Sequence, residues 1–125
     1  MRIPRVVYYF ISQKIQQSIE QILSRSQTPP IIILQGDHGP GSGLNWNSPE
    51  QSDLDERMSI LNAYYFPDQN YQDLYSSITP VNSFRIVLNH YFGCSYEILS
   101  DRCFFSNSRH PYNFQDITTK PNPTK

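Results

Sequence analysis

Between Val7 and Arg25, apolar residues recur at steps of three and four: Val7, Phe10, Ile11, Ile15, Ile19, Ile22 and Leu23. Gln13, Lys14, Gln17 and Glu20 fall on the opposite side. That spacing predicts one amphipathic helix with a single apolar face. Thr28-Pro29-Pro30 then blocks continuation of the helix, because the residue before a proline is pushed out of helical geometry. Ile31-Ile32-Ile33-Leu34 follows, four large apolar residues of which three are β-branched. A run of this kind reads as a strand buried on both faces. Helix, short connection and buried strand form half of a βαβ unit, so a parallel sheet is expected.

From Gly39 to Asp55 the chain is polar and rich in turn formers, a long loop of the kind that carries function. Met58 to Phe66 is rich in strand formers and ends at Pro67-Asp68, which predicts a second strand. Thr79-Pro80 marks a helix start, with Thr79 as N-cap and Pro80 in the first helical position. Val81, Phe84, Val87 or Leu88, and Tyr91 keep one face apolar, and Gly93 supplies the stop. Tyr96–Leu99 and Cys103–Phe105 read as short extended pieces. After Ser106 the apolar periodicity fades, and 106–125 is expected to be a weakly structured tail, frayed from Thr118.

Composition narrows the classes. With 125 residues, 38% hydrophobic and 17% charged, the chain suits one globular domain. Ten basic against eleven acidic residues, with no basic block, give nucleic acid and anionic membranes no electrostatic hold. No apolar run approaches the roughly 20 residues that span a bilayer. Met1–Val7 lacks the apolar core and small-residue site of a signal peptide. Cys94 and Cys103 either pair or sit as two free small packing residues, the latter being the simpler expectation.

The chemistry-bearing residues cluster where the first strand ends. Asp37 and His38 stand side by side, flanked by Gly36 and Gly39. Carboxylate oxygen and imidazole nitrogen together suit borderline divalent cations. Adjacent side chains on a strand point to opposite faces, so both reach one ion only if the backbone turns there. Otherwise Asp37 caps a turn and His38 fills a loop position. The glycines at 36, 39, 41 and 43 do not make a phosphate loop, since no Lys-Ser/Thr pair and no helix start follows. Trp46 either lines a pocket mouth or pins the loop. His90, near the end of the second helix, reads as a surface residue, and His110 has no ligand context.

The segment Gln35-Gly36-Asp37-His38-Gly39 after an apolar strand resembles the last metal-binding motif of the alkaline phosphatase superfamily. It is most similar to the sulfatase-like branch that includes lipoteichoic acid synthases and phosphoethanolamine transferases. The later order agrees: a strand ending at Pro67, then Ile78-Thr79-Pro80-Val81-Asn82-Ser83-Phe84 opening a helix that closes on Gly93. The resemblance covers roughly residues 8 to 105. It implies a divalent metal (Zn, Mn, Mg or Ca) held by Asp37 and His38, and a sulfate or phosphate ester as substrate. The metal would act as a Lewis acid on the ester oxygen. Related full-length enzymes are often membrane-anchored with the domain outside the cytoplasm; location is left open here.

In that family the nucleophile and first acidic ligand come from earlier strands, and nothing before Ile31 supplies them. The expectation is therefore an α/β, three-layer, partial alkaline-phosphatase-like fold with a mainly parallel sheet and flanking helices. Residues 1–105 would be the C-terminal part of a sulfatase-like hydrolase or phosphoryl/phosphoglycerol-type transferase domain, inactive alone, and either a truncated or split gene product or one that an upstream chain completes. The alternatives are a non-catalytic α/β interaction module or remnant and, more distantly, a small nucleotide-binding protein.

Overall fold

The computed structural model describes residues 5–118, with the side chains of the first four of these left aside. Residues 1–4, in the segment that lacks signal-peptide features, and 119–125, in the expected frayed tail, lie outside the described residues. The chain divides into two compact units, Met1–Leu34 with Ala63–Asn70, and Gln35–Asn62 with Tyr71–Lys125.

The first unit is dominated by helix α1, Arg5–Arg25. Its polar side is laced by Lys14 to Gln17 and Gln16 to Glu20 hydrogen bonds, pairings that helical spacing of three and four allows. On the other side Ile15 and Ile19 are half-buried. They line a groove of about 390 Å³ together with Phe10, Ile22, Ile32 and Leu34. Ile32 and Leu34 are two apart and so share one face of strand β1, Ile32–Gln35. Strand β2, Asn62–Tyr65, is its partner. Just beyond β2, Phe66 is buried and meets the Tyr64 ring edge-on at 5.7 Å.

The expected three-layer, mainly parallel, alkaline-phosphatase-like fold is not what the chain adopts. Among the described residues the strands form two separate two-stranded antiparallel sheets accompanied by three helices. Ile31–Leu34 reads as a central strand, yet every residue of β1 is only half-buried. Its partner among the described residues runs back towards it, the Gly36 N–H bonding the Leu61 carbonyl at 2.8 Å just past the strand ends. An apolar run records that a strand is covered; it carries no information on the direction of the neighbour.

The second unit contains helix α2, Leu54–Met58, helix α3, Pro80–Phe92, and strands β3, Phe104–Asn107, and β4, His110–Asp116. The strand expected from Met58 is thus shorter, its first residue being the last of α2. Asp53 caps α2 by accepting the Glu56 N–H at 3.0 Å, and a turn at Pro49–Gln51 precedes it. Helix α3 starts after Thr79 and stops at Gly93, whose φ of 65° is the left-handed conformation glycine adopts without strain. Its inner face buries Asn82, Ser83, Ile86 and Val87. Strands β3 and β4 pair antiparallel with an irregularity between Phe105 and Asn107. They give Phe105 to a small core with Leu54 and Ile117, against which Leu44, Met58 and Cys103 pack. Sequence periodicity assigned no element to the segment that β4 occupies.

Candidate metal centre

Two backbone hydrogen bonds bracket the Asp37-His38 elbow. The Gly36 N–H bonds the Leu61 carbonyl and the Gly39 N–H bonds the Arg57 carbonyl, both at 2.8 Å. Between these anchors the chain bends out of strand geometry. Gly39 is buried against the end of α2, where a Cβ would collide with the carbonyl oxygens of Glu56 and Ser59. The glycine is thus a packing requirement, and the same holds for Gly43, whose Cβ would meet that of Asp53 at 2.7 Å. Glu56 fastens the loop further: its carboxylate accepts from the Ser42 hydroxyl and from the Gly43 N–H at 2.9 Å. Those two bonds, the hydroxyl's first, hold its carboxyl below the usual glutamate range.

The elbow turns both functional side chains to one side. Asp37 Oδ2 lies 3.7 Å from His38 Nε2, and both side chains are exposed. Two donors at about 2.1 Å on one tetrahedral ion stand about 3.4 Å apart, so the pair is close to chelating separation. The other ring nitrogen, Nδ1, lies 2.8 Å from the Gly39 carbonyl oxygen and 2.7 Å from Arg57 Nη1. Nη1 also donates to that carbonyl at 3.1 Å. The Arg57 guanidinium sits 5.8 Å from the centre of the Trp46 ring. Among the described residues, no group of three or more His, Cys, Asp and Glu is placed to hold an ion. The Asp37-His38 pair emerges from an antiparallel strand end, a correction to the expected carboxyl end of a central parallel strand.

Other sequence candidates lie apart from this pair. Trp46 is 69% exposed, so it does not pin the loop by burial; Leu44 does, from its place against the core. His90 is mostly buried and its Nδ1 lies 3.8 Å from Asp73 Oδ2. Cys94 and Cys103 are free, and burial pushes the Cys103 thiol upward. His110 is exposed in β4, its N–H donating to Asn107 Oδ1. Sequence reasoning missed Arg57 and Glu56. The Asp53-x-x-Glu56 spacing signals a helix start there, but nothing in it places Arg57 beside His38.

No protein-family model, curated protein or solved structure matches this chain. No described helix is long and apolar enough to cross a membrane.

Proposed function

We propose that the chain contributes Asp37 and His38 as ligands of a divalent metal in a sulfatase-like hydrolase or transferase acting on sulfate or phosphate esters. The observation that carries this reading is the 3.7 Å approach of Asp37 Oδ2 to His38 Nε2 on one exposed side of a braced elbow. The donor set fits zinc or manganese, which accept carboxylate and imidazole together. When bound, such an ion polarises an ester oxygen and stabilises charge developing on it. The chain's own residues do the rest locally. Gly39 and Glu56 hold the elbow in register with α2, and Gly36 ties it to the residue before β2. Further ligands and the nucleophile come from groups other than this pair, and two donors alone hold an ion weakly.

The test is manganese titration of the isotopically labelled full chain. Paramagnetic broadening confined at first to 36–39, and abolished by Asp37→Asn with His38→Gln, supports the proposal. Broadening centred on other carboxylates, or none at millimolar metal, overturns it.

A second reading, a non-catalytic interaction module, draws on the first unit. There Phe10, Ile11 and Ile22 of α1 are each between 45% and 57% exposed beside the groove. Manganese without effect at the elbow favours this reading.

A further inference from the structure

His38 Nδ1 has two neighbours that make opposite demands on it. A guanidinium offers only N–H donors, so Arg57 Nη1 at 2.7 Å requires a lone pair on Nδ1. A carbonyl only accepts, so the Gly39 oxygen at 2.8 Å requires a proton there. One nitrogen cannot satisfy both. Arginine stays charged at all ordinary pH, and Gly39 already has the Arg57 bond at 3.1 Å to occupy its carbonyl. With the ring neutral and Arg57 in place, Nδ1 is therefore the acceptor, and the ring proton sits on Nε2, the nitrogen that faces Asp37.

A metal shared by Asp37 and His38 needs the lone pair on Nε2 instead. Resting on the metal-centre reading above, we infer that Arg57 is a positioning residue that latches His38 in the tautomer opposed to metal binding and lets go as the ion arrives. The proton balance is closed. Nε2 gives one proton to water, Nδ1 takes one from water, and the ring stays neutral. The new Nδ1–H points at the Gly39 carbonyl, already at bonding distance. That oxygen has a second lone pair, so it keeps its bond from Arg57 as well. Only the contact between Nη1 and Nδ1 has to open. A bond from the second ring nitrogen to a backbone carbonyl is the usual way a ligating imidazole is oriented. The apparatus for the bound state thus stands ready next to the group that delays it.

Long-range proton–nitrogen spectra of the labelled full chain read the tautomer directly, with the His38 signals identified by their loss in His38→Gln. The metal-free chain is expected to carry the proton on Nε2, and zinc to move it to Nδ1. Arg57→Met keeps the aliphatic stem but removes the donors. It should place the proton on Nδ1 without metal and tighten zinc binding roughly two- to tenfold, the worth of one hydrogen bond. Arg57→Lys retains a donor-only cation and should behave as the parent, which a merely structural role would not predict. A tautomer and zinc affinity unchanged in Arg57→Met overturn the latch while leaving Asp37 and His38 as ligands. A His38 pattern that ignores zinc in every variant overturns the metal reading itself.

Discussion

Asn82 on α3 and Leu99 in the segment after it exchange two hydrogen bonds. The amide Nδ2 donates to the Leu99 carbonyl at 2.8 Å and Oδ1 accepts the Leu99 N–H at 3.0 Å. A wholly buried side chain thus does for Leu99 what a neighbouring strand would do. The same Nδ2 lies 3.0 Å from both Tyr75 Oη and Asp101 Oδ1. Asn82→Ala removes these bonds and empties the space that its wholly buried side chain fills. The expected cost is about 2–4 kcal/mol, the sum of a cavity and unpaired backbone groups. Urea denaturation of the variant against the parent measures it; a change below about 1 kcal/mol would show that the segment is held by other means.

Asp101 gives the same junction a pH dependence. Burial resists its ionisation, but bonds from the Thr79 hydroxyl, the Tyr75 hydroxyl, the Thr79 N–H and Asn82 outweigh that and hold its carboxyl below the ordinary aspartate range. Because its folded pKa lies below the unfolded one, the unfolded chain takes up the proton first as acid is added. The stabilisation is whole above the unfolded value, about 3.9, and is lost as pH falls from there through the folded pKa. Asp101→Asn should therefore lower stability at pH 6 and flatten the decline between pH 4 and pH 2. Urea midpoints across that range decide it, and an equally steep decline in the variant would assign the acid sensitivity to other carboxylates.

Elements bounded by local chemistry were legible in the sequence. Pro80 and Gly93 delimit α3 because a fixed φ and a left-handed stop each act locally, whereas the Thr79 hydroxyl makes no capping bond and donates to Asp101 instead. At the elbow the flanking glycines allow a bend without requiring one, so the sequence left open whether Asp37 and His38 share an ion or fill a turn. The direction of the strand before it was not legible. Ile32–Gln35 pairs with Asn62–Tyr65, and that choice is made across a long connection whose bonds to α2 leave no trace in the apolar pattern. Strand β4 escaped notice because Tyr112 and Phe114 stay exposed. It is held by its ladder to β3, the edge-on Phe104–Phe114 contact and the Arg102–Asp116 ion pair, all of which depend on a neighbour. Arg57 reaches His38 from 19 positions away, a contact that no spacing rule announces.

The two glycines around Asp37 and His38 separate steric need from backbone freedom. Neither has a left-handed φ, since among the described glycines Gly93 is the one with φ above zero. A methyl on Gly36 would have its nearest neighbour at 3.6 Å, ordinary contact with the Leu61 nitrogen. A methyl on Gly39 would run into the backbone oxygens of α2, which cannot step aside without unwinding that five-residue helix. Gly36→Ala should accordingly change stability by less than about 1 kcal/mol. Gly39→Ala should cost about 1–3 kcal/mol or more, as overpacking against rigid backbone does, and should pull the Gly39 N–H off the Arg57 carbonyl. Amide exchange at Gly39 and denaturant midpoints of the two variants test the contrast. Equal effects would mean that the elbow is not wedged against α2, and the approach of Asp37 to His38 would then lack its brace.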